Sequence, residues 1–458
     1  MQIDTRNDAL LIAGGSLVTG DGRSFFESAS IRIRDGLIVE VTGGRQEPAE
    51  GESLLLSDGM LMMPGLINGH AHGTILGPSM PSGSAPLMPE TVRWQRNRHL
   101  LSGTTSLINV CGLALEDERD GVLGPHAIDI RMSSALTPQS LRAADAIDGR
   151  GLSSRHRLAR LEEIVGCGQC RVLGEAGGGQ TLGGGAQDYH FIPDAIEAKT
   201  GQRIEAAMAR RLKEQVLGRK LDGGSSADDE GLETLLKEAG LEAHLTTDAL
   251  RQLLETCVLA PVRDALAGLA EIAAASATFG LPAIFHHALP TAAKLGELAR
   301  RHPKARMIAA HANHPSFRVE EAVQAARDLK FLGVKIDVST LDMIQTRFRN
   351  GPENFDSLIA AGLVDTISTD YAGGDWDPIA SALHRIIARK MMDLPAAVAL
   401  ATGNPAGIFP ELFGDRGLIM PQKRADILVC EKHNLSKVRH VFVAGRQVVK
   451  DGQLYDEG

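Results

Sequence analysis

Short apolar runs alternate with amphipathic stretches through the middle of this chain. Runs at 60–68, 103–110, 127–133, 169–174, 281–285, 305–310, 332–338 and 364–369 read as buried strands. Segments such as 291–301, 318–330 and 378–392 carry the helical period between them. Eight strand–helix repeats predict an α/β fold, a closed (β/α)8 TIM-like barrel over 62–415. A doubly wound open sheet is the alternative, because periodicity alone does not close a barrel.

The ends of the chain follow a different rule. Ala9 to Ala13 is apolar, and Ser30 to Arg34 alternates Ile31 and Ile33 with Arg32 and Arg34. The turn Asp35-Gly36 then leads into Leu37 to Val41, which predicts a hairpin. Asp426 to Val429 and the pair Val438 to Ala444 and Gln447 to Val449, turning at Gly445-Arg446, repeat that grammar. Residues 1–61 and 416–458 are therefore expected to build one composite β-sandwich domain. From 175 to 280 no candidate strand occurs, where a barrel needs one loop and one helix. Residues 176–260 read as a helical insertion after the fourth strand, with helices at 198–220 and 229–258 and a cap at Thr246-Thr247-Asp248. A flexible turn is expected across 222–230.

Composition narrows the partners. Of 458 residues 43% are hydrophobic and 23% charged, with a formal net charge of -9. Aromatics at 4% and a net negative charge argue against nucleic acid. No apolar run reaches the length of a bilayer span and the first residues lack a secretory pattern, so a cytoplasmic protein with no membrane partner is expected. Five scattered cysteines fit reduced thiols, and Cys167-x-x-Cys170 stands alone without a second pair. A homo-oligomer acting on a small-molecule substrate is the expected form.

Metal-type side chains recur where the strands end. The first strand runs into His70-Ala71-His72, and residues two apart in extended chain share a side. Glu175 follows the fourth strand, His286-His287 the fifth, His311 the sixth and Asp370 the eighth. In a barrel these ends meet at one rim. Singly, each has an ordinary explanation, such as a helix cap or a core histidine; in this order, together, they point to a metal site. Four imidazoles and two carboxylates suit Zn2+ or Fe2+. Gln180, within the glycine-rich run 177–185, and Tyr189, His190, Asn313 and His314 are candidates to face substrate, with loop packing as the alternative. The glycine run itself reads as a hinge into the insertion.

The stretch Met63-Pro64-Gly65-Leu66-Ile67-Asn68-Gly69-His70-Ala71-His72 resembles the opening signature of the amidohydrolase superfamily. So do Ala401-Thr402-Gly403-Asn404-Pro405-Ala406 and Ala425-Asp426-Ile427-Leu428-Val429. Gly174-Glu175, His286, His311-Ala312-Asn313 and Asp370 are most similar to enamidase-type cyclic amidohydrolases. That resemblance implies two divalent metal ions, Zn2+ first with Fe2+ or Mn2+ as alternatives. It implies His70, His72 and Asp370 on one ion, His286 and His311 on the other, and Glu175 between them. A hydroxide held by both metals would attack an amide, with Asp370 as general base and acid. His286 is the ligand by family register, and a one-residue slip would exchange it with His287. The implied activity is hydrolysis of a C–N bond in an amide, with a cyclic amide expected. A one-metal deaminase is the alternative, disfavoured because Leu289 stands where that branch commonly has a glutamate. A catalytically silent barrel is the third reading.

Overall fold

Eight short parallel strands carry the middle of the chain. They are β1 Leu66–Ala71, β2 Thr104–Asn109, β3 Asp129–Met132, β4 Leu173–Ala176, β5 Pro282–His286, β6 Arg306–Ala310, β7 Lys335–Ser339 and β8 Thr366–Ser368. The structure, a computed structural model, describes residues 9–177, 187–221, 228–341, 351–371 and 377–455. β1 to β3 pair side by side in one sheet and β4 to β8 in another, each in chain order. Isolated parallel bridges link the two sheets, Ser134 with Leu173 at one seam and Ala71 with Tyr371 at the other.

Every residue of β2 and β5 is buried, as expected for parallel strands covered on both faces. Neighbouring positions sort into two apolar clusters, following the period of two. Ile67, Ile108, Ile284 and Ile308 pack with Phe409 and Phe413. Leu66, Leu107, Phe285 and Ala309 join the larger core formed with the helices.

Three strand expectations are corrected. The run 60–68 is two strands: Met60–Pro64 pairs with Ile427–Glu431, and β1 begins after Gly65. A Cβ at Gly65 would meet the Thr105 side chain at 2.4 Å, so the chain changes sheets at the one residue that leaves room. The fourth strand starts at Leu173 rather than at 169. The seventh starts at Lys335, because Gly333, at a φ of 84°, closes the preceding helix Val319–Phe331.

Both chain ends contribute to the flanking sheets. Leu10–Ala13, Ala29–Arg34, Leu37–Gly43 and Ser53–Leu56 form a four-stranded sheet. Ser16–Val18, Phe25–Phe26 and Met60–Pro64 lie in a seven-stranded sheet with Ile427–Glu431, Asn434–Val443, Arg446–Lys450 and Gln453–Leu454. Ile12, Ile31 and Ile33 of the first share a core with Met62, Ile427, Val429 and Phe442 of the second. The first hairpin turns at Asp35-Gly36, whose φ values of 52° and 76° suit an Asp-Gly turn. The later one turns at Ala444-Gly445, one residue before the expected position.

Between β4 and β5 lie helices Ile192–Thr200, Ala206–Leu217, Asp229–Glu238 and Thr247–Leu254. Two long helices were expected there, but Gly201 and Gly240 take left-handed φ values of 76° and 70° and end the first and third. Thr246 caps the fourth by accepting the Ala249 N–H at 3.2 Å. Most of the expected turn across 222–230 lies outside the described residues. No helix among the described residues is long and apolar enough to cross a membrane.

Candidate metal centre

The site is assembled at the C-terminal ends of five strands. β1 delivers His70, and His72 follows two residues later on the same side, with their Nε2 atoms 3.3 Å apart. Asn68 fixes this end against β8: its amide donates to Thr369 Oγ1 at 2.7 Å and accepts the N–H groups of His70 and Thr369. Asp370, just beyond β8, donates its N–H to the His70 carbonyl at 2.9 Å. Its Oδ1 lies 3.2 Å from both His70 Nε2 and His72 Nε2.

Glu175 of β4 stands between two groups of imidazoles. Its Oε2 is 3.7 Å from both His70 Nε2 and His72 Nε2. The other oxygen, Oε1, is 2.9 Å from His286 Nδ1 and 3.2 Å from His311 Nε2. One carboxylate thus offers each oxygen to a different histidine pair. His287, the next residue, is buried outside this cluster with its ring 5.0 Å from that of Phe317.

His311 and Asp370 adopt left-handed φ values of 39° and 50°, uncommon for residues with a Cβ. Such conformations cost about 1–3 kcal/mol each and persist where the surroundings fix them. For His311 the surroundings are Asp337 of β7. Its Oδ2 accepts the His311 N–H at 3.3 Å and the Ser368 hydroxyl at 2.7 Å, while Oδ1 accepts Thr366 Oγ1 at 2.7 Å. Burial pushes the Asp337 carboxyl above its usual range.

Electrostatics in the cluster favour ionised carboxylates. Burial alone would raise Glu175, but hydrogen bonds from His286 and His311 and the nearby His70 hold it well below the usual range. For Asp370 burial is likewise outweighed by the charge and hydrogen bond of His70 and by His72. Three overlapping sets of ligand atoms lie within 4.8 Å of one another: His70, His72 and Glu175; His70, His311 and Asp370; and Glu175, His286 and His311. Imidazole nitrogens and buried anions converging in this way fit the donor set of a divalent transition metal.

The softer candidates separate. Asn313 uses its amide on β7, donating to the Ser339 carbonyl at 2.9 Å and accepting the Ser339 N–H at 2.8 Å. That pairing fixes the Asn313 amide against the end of β7. His314 stays beside the cluster, its ring 5.6 Å from that of His286 and 5.7 Å from that of His311. Gln180 lies outside the described residues. His190 is exposed, in the π-helical turn Gln187–Phe191 that opens the insertion.

Sequence reasoning missed Asn68 and Asp337, and Gln95 and Arg96 of the helix Pro89–Leu101. Turned toward them, the Gln95 amide donates to the carbonyls of His72 and Gly73, and Arg96 donates to that of Thr74 at 2.8 Å. Asp337 had a signal, a lone carboxylate within an apolar strand; a buried helix Gln and Arg had none. Beside Glu175 a narrow crevice of about 10 Å³, room for a single water, lies between Pro81, Cys111, Leu113, Ala135, Ala143 and Ala265. Burial pushes the Cys111 thiol up to about 11, so this wall is apolar and uncharged. Cys167 is exposed and Cys170 buried with its thiol on the Val172 carbonyl, so the two form no pair.

No protein-family model matches the chain, and no curated protein matches it in sequence. Solved structures do. A β-aspartyl dipeptidase from Fervidobacterium islandicum AW-1 is similar over 100% of both chains, at 14% identity and a TM-score of 0.55. A molinate hydrolase is similar over 97% of this chain and 95% of its own, at 17% identity and a TM-score of 0.52. A D-hydantoinase from Thermus sp. follows at 16% identity and a TM-score of 0.50, over 98% and 97%. The likeness is one of architecture: the chain shares with these structures a mixed α/β fold with parallel sheets.

Proposed function

We propose that this chain is a metal-dependent hydrolase of the amidohydrolase superfamily that cleaves the C–N bond of an amide, a cyclic one by preference. In this reading the eight parallel strands, bridged at both seams, close as a barrel. His70, His72 and Asp370 would hold one divalent ion and His286 and His311 a second, with Glu175 able to serve both. The observation that carries the reading is the division of Glu175, with Oε1 toward His286 and His311 and Oε2 toward His70 and His72. A bridging anion offsets the repulsion of two adjacent dications, and a carboxylate has two oxygens for that task.

The bound ions supply a water of lowered pKa and polarisation of the amide carbonyl. The chain supplies the rest. Asp370 is the least enclosed of the six, its side chain 17% exposed against 1–4% for the others. Its carboxylate therefore takes the proton from the attacking water and hands it to the leaving nitrogen. His314 accepts the Ser316 N–H on Nδ1 at 3.1 Å, which leaves the proton on Nε2 and makes the ring a hydrogen-bond donor beside the substrate.

The names of the similar structures, hydantoinase, dipeptidase and molinate hydrolase, support amide-type C–N cleavage. Metal analysis of the purified protein, with turnover of hydantoins, dihydropyrimidines, β-aspartyl dipeptides and N-acyl amino acids, tests the proposal. Two ions per chain and chelator-sensitive ring opening are expected. Ammonia release with one ion would make the protein a deaminase, and a metal-free chain without turnover would make it a silent relative.

A further inference from the structure

Among the described residues, a side chain of the insertion between β4 and β5 bonds the segment that follows β6. Arg219 follows the helix Ala206–Leu217 and reaches the segment after β6. Its Nη1 and Nη2 each donate to one oxygen of Glu321 at 2.8 Å, and Nη2 also donates to the Ser316 carbonyl at 2.7 Å. Glu321 opens the helix Val319–Phe331 and accepts the Arg318 N–H at 2.8 Å.

Ser316 is the hub of this arrangement. While its carbonyl takes Arg219, its hydroxyl oxygen accepts the Leu289 N–H at 3.0 Å, three residues beyond His286. The same hydroxyl sits 2.8 Å from His314 Nδ1. One residue thereby joins the insertion, the loop after β5 and the imidazole beside His286 and His311.

We infer that Arg219 is a positioning residue: it clamps Ser316 and Glu321 so that the insertion determines where the His314 ring stands over the site. The inference rests on the proposed hydrolase reading for what His314 does, but not for the clamp itself. A guanidinium is suited to the role because its planar fork engages both carboxylate oxygens while a further N–H reaches the carbonyl. A lysine ammonium has no such fork and would keep only part of the set. The pair is half-buried, so its value lies in geometry more than in stability.

The test uses the full chain with its metals. Arg219→Ala, Arg219→Lys and Glu321→Gln are compared with wild type by amide hydrogen exchange, metal content and kinetics, each also in a His314→Ala background. Arg219→Ala is expected to speed exchange at the amides of Leu289 and Ser316 while metal content stays unchanged. Turnover should fall about 10- to 100-fold, the scale at which misplaced active-site groups cost rate. Arg219→Lys should recover part of both effects. In the His314→Ala background, Arg219→Ala should cost less than about twofold more, since coupled residues are not additive.

Unchanged exchange at Leu289 and Ser316 would overturn the clamp. So would a full multiplicative loss in the His314→Ala background, which would place the action of Arg219 elsewhere. If Arg219→Ala does not fold, the Lys and Gln variants decide the same comparisons. A wild-type protein that hydrolyses no amide would sink the hydrolase reading alone, because the exchange arm judges the clamp without activity.

Discussion

His287→Leu separates the two adjacent histidines and tests the burial argument at the same time. The His287 imidazole is fully buried, and neither ring nitrogen has a hydrogen-bond partner among the described residues. An unsatisfied buried polar group costs about 1–3 kcal/mol. Against that gain stands the lost ring contact with Phe317, about 0.5–1.5 kcal/mol. Leucine should therefore leave the protein as stable as wild type, or more stable by about 1 kcal/mol, at pH 7.

The difference should then grow in acid. Burial, reinforced by the nearby His311 and His286, lowers the His287 pKa from 6.5 to about 3. The unfolded chain takes up this proton near pH 6.5, whereas the folded protein refuses it until about pH 3. Stability is thus untouched above pH 6.5 and is lost as the pH falls between those two values. At 1.36 kcal/mol per pH unit, wild type should lose about 2 kcal/mol at pH 5 through this residue, a loss the leucine variant escapes. Other buried histidines are common to both proteins and cancel in the comparison. Thermal midpoints at pH 7 and pH 5, with metal content and turnover, make the measurement. A variant stripped of metal and activity would put His287 in the cluster and shift the β5 register by one residue. A stability difference independent of pH would refute the buried neutral imidazole.

Three further perturbations address the site and its support. Glu175→Ala should reduce metal content and activity together, measured by elemental analysis, and two retained ions would remove the bridging role. Asp337→Asn turns into a donor one of two acceptor oxygens, Oδ1 serving Thr366 and Oδ2 serving Ser368 and the His311 N–H. It should cost about 1–3 kcal/mol in stability and lower turnover, with metal retained; unchanged kinetics would deny it a positioning role. Arg416→Met removes a buried guanidinium from Asp129, Asp415 and Ser106 at the far ends of β2 and β3. It should destabilise by about 3–5 kcal/mol in a melting assay and leave metal affinity alone, and a loss of metal would contradict this placement.

What the residues announced and what they hid follow from range. His70 and His72, two apart on an extended strand, were legible because the period of a strand is local. Glu175, His311 and Asp370 were legible because strand ends are marked by where apolar runs stop. The roles of Asn68 and Gln95 were not, because their partners Thr369 and His72 lie on other elements, and Asp337 showed only as a lone carboxylate in an apolar strand, without its partner Thr366. The left-handed backbone at His311 and Asp370 was hidden for the same reason, since no local preference calls for it. Turn positions erred by one residue at Ala444-Gly445, where glycine fixed the turn and alanine rather than arginine filled its other place.

The insertion is the part that pattern described least well, and its packing explains why. A separable lid would carry its own core, with a polar seam toward the strands. Here Ile192, Ile196, Leu212, Leu232, Leu250 and Leu254 belong to one continuous apolar core with Leu173 and Phe285 of β4 and β5. The chain also passes from Thr247–Leu254 through the turn Glu255–Leu259 into Ala260–Phe279 without leaving helical structure, so no boundary falls at 260. Near its start, Lys213 is buried against Asp188 at 2.5 Å and Gln187 at 2.9 Å, which binds the second helix to the segment leading back toward Glu175. A buried pair of this kind costs desolvation and holds only when its geometry is kept. Arg219, two residues beyond that helix, grips Ser316 and Glu321. The C-terminal half of this helix is thus tied by Lys213 to the chain after β4, and the residue Arg219 just beyond it to the chain after β6. Moving the described part of the insertion would require a buried ion pair, a forked salt bridge and a shared apolar core to yield together.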